Sequence, residues 1–232
     1  MAEKNNKEGK KMKKEQDLVF DIETMKNASM IDRLPALEVK AGNLKDPAKI
    51  AEKQETAKIE QIEKMSLSPL YGRICAWCAI DDDGKKYQEC ITADTNTAEA
   101  ELIEKAFDLL GEYGRIVTYN GNGFDFPFLY RRAALLGIPP SLYGLPPLAA
   151  ITAKYRNELH VDLMQVWCGS GSYEKLDNIA RALINDQKIE IDFRDFPELI
   201  KTKKGRKQLL DYCMQDVRLT QQIWFRVHGI LI

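Results

Sequence analysis

The chain has 232 residues, a net charge of −1 at pH 7 and 44% hydrophobic residues. This length and hydrophobic content predict one good-sized domain rather than two small ones. The sequence has no apolar run long enough for a transmembrane helix, and its lysine-rich start lacks the apolar stretch of a secretory signal. We therefore expect a soluble cytoplasmic protein that makes no contact with a membrane.

Residues 1–16 show no hydrophobic periodicity, which predicts a disordered basic tail. The domain would then occupy residues 17–232 and begin with a buried strand, "LVFDIE". A polar segment over about 26–70 is predicted to be a helical insertion. Within it Asp46 suits an N-cap and Pro47 the first helical position, and its sparse apolar residues predict a helix at the periphery.

The next stretches predict a β-hairpin followed by alternating strands and helices. "GRICAWCAI" and "KKYQECITA" are joined around "DDDG", and Asp-Gly between β-rich runs is a strong turn signal. "RIVTYNG" and "HVDL" predict two further strands between helical stretches, and a long helix is predicted over about 203–228. The pattern predicts an α/β fold, with a mixed five-stranded sheet covered by helices on both faces.

Five cysteines without a regular framework fit a reducing compartment, where thiols pack as small hydrophobes. Cys75 and Cys78 form a single CxxC inside an apolar run. A zinc site would need a second pair, and the surroundings lack the βαβ context of a redox motif. We interpret both cysteines as core residues.

Acidic residues occur at three places where such a sheet would gather them. Asp21 and Glu23 are two residues apart on a strand, so their side chains point to the same face. Asp125 lies just past the end of a strand, in a glycine-rich turn that opens a helix, which is where open α/β sheets place ligands. Taken singly, each acid also has an ordinary structural explanation, such as a strand end or a turn.

The terminal helix contributes another acid, Asp216, which interrupts an apolar stripe. Tyr212 lies four residues earlier in this stripe, which also contains Leu209, Leu219 and Ile223. Burial of an unpaired carboxylate is costly, so Asp216 lies at a rim, has a hydrogen-bonded partner or holds a cation.

Convergence of all these carboxylates would require a counter-charge, because neighbouring acids raise one another's pKa values. Arg131 and Arg132 are the nearest candidates for neutralising Asp125, but they lie one to two helical turns further on. A bound divalent cation reconciles the acids better. Ligation by carboxylates alone favours Mg²⁺ or Mn²⁺ over zinc.

Three stretches in this order, "FDIET", "YNGNGFDFPFL" and "YCMQD", resemble the three exonuclease motifs of the tyrosine-containing subgroup of the DEDD superfamily. Within it, the chain resembles the predicted 3′-5′ exonucleases related to the proofreading domain of family B DNA polymerases. The resemblance covers roughly residues 17–230. It implies a ribonuclease H-like fold and two-metal phosphodiester hydrolysis at a free 3′ end.

Carried over by position, the resemblance implies a role for each motif residue. Tyr212 would orient the attacking water, and Asp21 would bridge the two metal ions. The two Mg²⁺ or Mn²⁺ ions would be held by Asp21, Glu23, Asp125 and Asp216. The positions that meet the terminal nucleotides correspond to Thr24, Asn120 and Phe124, and for Phe124 both base stacking and core packing remain open.

Other positions depart from the family pattern or have ordinary explanations. Polymerase proofreading domains usually carry Asn where this chain has Gly123, which puts their base-separating contacts in doubt. We interpret Asp162 as a helix cap. For His160 both a packed strand residue and a catalytic group remain open, although the histidine-containing subgroup would need His at position 212. The chain has no room for a polymerase domain after Ile232, so we do not expect editing in cis.

These observations predict an enzyme that degrades single-stranded nucleic acid, with DNA favoured, from the 3′ end and releases nucleoside monophosphates. Two alternatives remain open, an exoribonuclease acting on RNA and a non-catalytic nucleic-acid-binding module on the same fold. The basic stretch at 201–207, "KTKKGRK", either steers a polyanion or forms a solvated surface.

Overall fold

A five-stranded sheet organises the residues that the computed structural model describes, namely 13–39, 46–154, 156–169, 171–189 and 191–232. The strands are β1 (Lys14–Lys26), β2 (Gly72–Asp81), β3 (Lys86–Cys90), β4 (Tyr113–Thr118) and β5 (His160–Asp162). Their order across the sheet is β3-β2-β1-β4-β5, so β1 occupies the centre. It pairs antiparallel with β2 and parallel with β4, while β5 runs parallel to β4.

The predicted mixed sheet and its hairpin are confirmed. β2 and β3 pair antiparallel, and Gly84 in the intervening turn has φ = +78°, a conformation that a glycine adopts without strain. The register brings Asp21 opposite Cys78 and Glu23 opposite Ala76 on β2.

Helices cover both faces of the sheet. Their bounds are α1 (Pro47–Glu63), α2 (Asn96–Glu112), α3 (Asp125–Leu136), α4 (Leu148–Ile151), α5 (Leu163–Cys168), α6 (Leu176–Ile184), α7 (Phe196–Leu199) and α8 (Lys203–Leu231). Short 3₁₀ turns span Ala28–Arg33, Lys64–Leu67, Pro140–Tyr143 and Phe193–Asp195. Within the described ranges, no helix is both long and apolar enough to cross a bilayer.

The core consists of two clusters, one on each side of the sheet. Phe20 of β1 packs in the cluster beneath α2 and α3, whereas Val19 packs in the cluster formed with α6 and α8. Cys75 and Cys78 divide in the same way, because residues three apart on a strand point to opposite faces. Both are free thiols with 0% exposure, which confirms them as core residues.

The first strand begins earlier than predicted, so the predicted disordered tail is wrong for its last residues. β1 starts at Lys14, which pairs with Tyr113 of β4. Asp17 accepts two hydrogen bonds from the Arg115 guanidinium at 2.6 and 2.7 Å. These long-range contacts stabilise the polar start of the strand, which has no hydrophobic alternation from which it could have been predicted. Residues 1–12 lie outside the described part of the chain.

The predicted helix within the 26–70 segment is confirmed as α1. The Asp46 side chain accepts the backbone N–H of Ala48 at 2.9 Å, and Pro47 occupies the first helical position. The helix has no buried residue, as expected for an element at the periphery. Residues 40–45 of this segment lie outside the described ranges.

Candidate active site

Strand β1 presents Asp21 and Glu23 to helix α8. Strand alternation places them on the same face as Val19, whose side chain packs in the α6 and α8 cluster. The Cys213 thiol of α8 approaches Oδ2 of Asp21 at 3.7 Å, and the ligand atoms of Asp21, Glu23 and Cys213 all lie within 4.8 Å of one another. The prediction that the two acids share a face is therefore confirmed.

Asp125 reaches the same region from the other side of the sheet. Regular pairing of β1 with β4 ends at Val19 and Val117, and the chain then turns through "NGNGF" into α3. Oδ1 of Asp125 accepts the backbone N–H of Ile22 at 3.2 Å, beyond the last paired residues of that ladder. Its side chain is buried in the first turn of α3, where the helix dipole favours an acid.

Asp162 holds the turn that leads to Asp125. Its Oδ1 accepts the backbone N–H groups of Asn120 at 2.9 Å and Met164 at 3.0 Å, and its Oδ2 accepts that of Asn122 at 3.0 Å. The bond from Met164 caps α5, so the helix-cap prediction is confirmed. The two further bonds show that Asp162 also fixes the turn after β4, a role that could not be predicted from its position in the sequence.

Of the two interpretations left open for His160, the structure shows the packed strand residue. Its ring lies 4.6 Å from that of Phe126, centroid to centroid. Nδ1 lies 3.2 Å from the Ile151 carbonyl, which can only accept, so Nδ1 carries the hydrogen and Nε2 accepts the Thr118 hydroxyl at 2.8 Å. Burial lowers the pKa of His160 to about 4, which keeps the ring neutral.

Helix α8 supplies Tyr212 and Asp216 one turn apart. Asp216 is only 6% exposed; Lys188 contacts its Oδ2, and its buried Oδ1 has no hydrogen-bond partner among the described residues. Tyr212 is half-buried at the edge of the stripe, with its ring centroid 6.2 Å from that of Phe196. Cys213, which the predicted stripe omitted, is fully buried beside it.

The four carboxylates influence one another electrostatically. Burial raises the pKa of Asp21 well above its usual value, and the charges of Asp125, Glu23 and Asp216 raise it further. Burial and the Asp216 charge likewise raise the pKa of Glu23. Burial raises the pKa of Asp125 to about 7, against the opposing hydrogen bond from Ile22. The structure therefore gathers all four predicted acids in one electrostatic cluster.

The cation nearest to this cluster is not one of the two arginines considered from the sequence. Arg132 donates to the Glu99 carboxylate at 2.8 and 2.6 Å and to the Pro69 carbonyl at 3.0 Å, and Arg131 is exposed. Lys188 contacts Asp216 instead and lowers the pKa values of Asp21 and Glu23. A lone lysine in a polar connection carries no pattern from which this contact could have been predicted.

The three predicted substrate contacts lie in different settings. The Thr24 hydroxyl donates to the Ser66 carbonyl at 2.7 Å and is largely buried. Asn120 adopts the left-handed conformation, with φ = +67°. Phe124 is half-buried and packs on Phe128, with the ring centroids 5.5 Å apart. Core packing of Phe124 is therefore observed, while its stacking on a base remains a prediction.

Two concave spaces meet at Lys188. The first, which we call the acid cavity, has a volume of about 270 Å³ and is bordered by Asp21, Asn120 and Asp216. The second, which we call the tyrosine groove, has a volume of about 740 Å³ and is bordered by Tyr212. Lys188 and Asp177 border both spaces.

The cluster fits a hard divalent cation. Its donors are carboxylate oxygens, and Oδ1 of Asp216 is buried without a partner within the described chain. The nearby thiol of Cys213 is a poor competitor, because burial raises its pKa well above the usual value and keeps it protonated. The carboxylates therefore form a candidate site for Mg²⁺ or Mn²⁺.

Comparison with known proteins shows that the chain is similar to DNA polymerases. DNA polymerase 1 of Saccharolobus solfataricus is 30% identical over 152 residues, which cover 61% of this chain and 17% of that protein. DNA polymerase 1 of Sulfurisphaera ohwakuensis is 32% identical over 146 residues, which cover 57% of this chain and 16% of that protein. The chain thus spans less than a fifth of the length of these two relatives.

Solved structures and family models agree with this similarity. The family B DNA polymerase of Pyrobaculum calidifontis matches 92% of this chain and 24% of its own, with a TM-score of 0.61 and 20% identity, which supports the predicted ribonuclease H-like fold. A family model described as a predicted 3′-5′ exonuclease related to the exonuclease domain of PolB matches residues 67–230. Because this match covers well over half of the sequence, the chain belongs to that family of predicted exonucleases.

Proposed function

We propose that this chain is a divalent-metal-dependent 3′-5′ exonuclease that acts on single-stranded nucleic acid, with DNA favoured, and releases nucleoside monophosphates. The observation that carries the proposal is the convergence of four acids from three distant segments. Burial is the largest cause that raises the pKa value of each acid, and neighbouring negative charges raise these values further. A cation bound among the acids would stabilise their charged forms. Membership of the family supports the 3′-5′ direction.

The metal ions would be held by Asp21, Glu23, Asp125 and Asp216. When bound, two such ions supply Lewis-acid stabilisation of the phosphoryl oxygens and make water a better nucleophile near neutral pH. The protein's own contribution is rigidity. Asp21 and Glu23 belong to the central strand, and the hydrogen bond from Ile22 restrains Asp125.

Tyr212 would orient the attacking water. Burial and the charge of Glu23 raise the pKa of its phenol above the usual value, so the phenol keeps its proton at neutral pH. A protonated phenol can both donate and accept a hydrogen bond, and its role is therefore to position water rather than to remove a proton. Contact with Phe196 restrains the ring.

The terminal nucleotide would lie between the acid cavity, Thr24 near the end of β1, and the residues that follow β4. The Asn120 side chain borders the acid cavity beside Asp21 and Asp216. Phe124 is only half-buried and could stack on a base, and the Thr24 oxygen retains acceptor capacity after donating to Ser66.

A degradation assay tests the proposal. Single-stranded DNA and RNA of the same sequence, both labelled at the 5′ end, are incubated with Mg²⁺ and either the parent protein or Asp21→Asn. Asp211→Asn is a matched control, because it removes an exposed carboxylate from the solvent side of α8. We expect a ladder that shortens from the 3′ end with the parent and the control, and none with Asp21→Asn or with chelator.

The two substrates separate the alternatives. Faster loss of DNA than of RNA supports the proposed substrate, and the reverse order identifies an exoribonuclease. Binding of either strand without degradation by any variant contradicts the proposal and identifies a non-catalytic binding module.

A further inference from the structure

Lys188 lies in the connection between α6 and the 3₁₀ turn at Phe193–Asp195, and both neighbouring helices hold it in place. Its backbone N–H donates to Oδ1 of Asp177 on α6 at 2.9 Å. On the other side, Gln215 of α8 donates to the Gln187 carbonyl at 3.4 Å. The lysine is therefore fixed at its backbone, while its side chain has several rotatable bonds.

The amine of Lys188 contacts two of the residues assigned to the site. It contacts Oδ2 of Asp216 and lies 5.7 Å from the centroid of the Tyr212 ring. Its side chain is 29% exposed, so it can leave this position without crossing the packed core. Because Lys188 borders both the acid cavity and the tyrosine groove, a rotation of its side chain moves the charge from one to the other.

Lys188 supplies positive charge to the acids in this structure. A carboxylate as buried as Asp216 needs a partner, and Lys188 provides one. Oδ1 of the same carboxylate is buried without a hydrogen bond within the described residues. Asp216 is thus paired with a cation at Oδ2, whereas Oδ1 is buried and unpaired within the described residues.

A divalent cation near Asp216 would meet the positive charge of Lys188. Two like charges in a partly buried site repel each other strongly, and the repulsion is little screened by salt. An anion that enters the groove would offer the displaced lysine a new partner, in competition with Asp177 and Asp192, which line the same groove. A phosphodiester is such an anion, and a strand whose 3′ end reaches the acid cavity brings phosphates past this position.

We propose that Lys188 competes with the divalent cation for Asp216 and, once displaced, binds a phosphate of the nucleic acid. This inference rests on the proposed function and adds a coupling to it, since ion uptake frees Lys188 for the strand and the strand keeps Lys188 away from the ion. Coupling of this kind is reciprocal, so each ligand raises the affinity for the other.

Binding of Mn²⁺, followed by electron paramagnetic resonance, tests this inference without turnover. The parent is compared with Lys188→Met, which removes the charge at similar length, and with Lys188→Arg, which keeps it. Lys207→Met is the matched control, because Lys207 forms an exposed pair with Asp211 on the solvent side of α8. Each protein is titrated alone and with thymidine 5′-monophosphate, a stable mimic of the terminal nucleotide.

For Lys188→Met without nucleotide, we expect the dissociation constant for Mn²⁺ to fall about tenfold, within the usual range of such couplings. The nucleotide should tighten Mn²⁺ binding in every protein, because its phosphate can contact the ion directly, but by a clearly larger factor in the parent, in Lys188→Arg and in Lys207→Met than in Lys188→Met. If circular dichroism shows that Lys188→Met does not fold, Lys188→Gln replaces it, since the amide can still donate to Asp216.

The outcomes separate this inference from the proposed function. Equal or weaker Mn²⁺ binding by Lys188→Met, with the parent binding normally, overturns the competition and leaves the metal site standing. Mn²⁺ binding by neither protein overturns the metal site and the inference with it. Mn²⁺ binding by Lys188→Met alone supports the competition in its strongest form.

Discussion

Ile22 donates its backbone N–H to Oδ1 of Asp125 at 3.2 Å, and this bond joins the central strand to the first turn of α3. Neighbours of Ile22 on both sides, Asp21 and Glu23, point to the opposite face of the strand from its side chain. A single backbone group thus fixes Asp125 relative to the acid pair. An asparagine at position 125 would still offer an oxygen acceptor to Ile22 but would carry no charge. The substitution Asp125→Asn can therefore distinguish the effect of the charge from that of the hydrogen bond.

Asp125→Asn should make the protein without metal less sensitive to pH. The pKa of Asp125 is raised from 3.8 to about 7 in the folded state. The folded state therefore binds the proton more tightly, and stability that is fully present below about pH 4 is lost as the pH rises through about 7. The loss is on the order of a few kcal/mol, because each tenfold difference in proton affinity corresponds to about 1.4 kcal/mol.

Urea unfolding in the presence of a chelator measures this effect. We expect the parent to lose stability between pH 5 and pH 8, and Asp125→Asn to lose clearly less. At pH 8 the variant should be the more stable protein, although it should have lost its nuclease activity. Equal pH dependence in the two proteins would show that Asp125 carries no uncompensated charge.

Tyr212→Phe should slow turnover while leaving the ligands bound. Phenylalanine keeps the ring against Phe196 and near the Lys188 amine, but it removes the hydroxyl that is proposed to position water. We expect kcat to fall about 100-fold, the scale of losing one positioned group in a reaction of this type. Steady-state kinetics should show an unchanged KM, and Mn²⁺ affinity should match the parent. A large rise in KM with constant kcat would assign Tyr212 to substrate binding instead.

Gly123→Ala should weaken substrate binding with little loss of stability. A Cβ at this position would lie 2.4 Å from Oδ1 of Asn120, so the amide must rotate away. Loss of one hydrogen bond to the nucleotide should raise KM about five- to tenfold. Gly229→Ala, where the added Cβ meets nothing within 4 Å, is the control. An unchanged KM in Gly123→Ala would remove Asn120 from the substrate contacts.

Glu99→Gln should destabilise the whole domain, although it lies outside the proposed site. Glu99 has 0% exposure and accepts hydrogen bonds from Arg132 at 2.8 and 2.6 Å, from Arg73 at 3.1 Å and from the Ile74 N–H at 2.9 Å. Removing its charge leaves two buried guanidinium groups without this counter-ion, a change that typically costs about 3–5 kcal/mol.

Denaturant unfolding of Glu99→Gln checks this value against Glu101→Gln, which changes an exposed acid on the same helix. The control should stay within about 0.5 kcal/mol of the parent. A similarly small effect in Glu99→Gln would mean that the arginines find other partners without cost.

Local signals in the sequence predicted most of the fold. Asp46 and Pro47 marked the start of α1 because a cap and a ring-fixed φ act within a few residues. Asp83 and Gly84 marked the hairpin turn for a similar reason. The early part of β1 was missed because its pairing depends on Arg115, which lies 98 residues away from Asp17.

The site was predicted only in part. The contacts within one strand or helix were predicted and a contact from a loop was not, for a physical reason. Strand alternation was enough to place Asp21 beside Glu23, and helical spacing was enough to place Tyr212 one turn before Asp216. The contact of Lys188 with Asp216 depends on the path of an irregular connection, for which no periodicity exists. Short-range rules therefore find acids within one element, whereas a counter-ion from a loop requires the tertiary structure.

The central position of β1 has a consequence for how heat would inactivate the protein. Asp21 and Glu23 are separated from either sheet edge by two strands, whereas Asp162 lies on the edge strand β5 and holds the turn at Asn120. Fraying begins at edges and termini, and amide hydrogens there exchange with solvent first. Warming would therefore release the turn at Asn120 early, while the acid pair would persist until the whole domain melts.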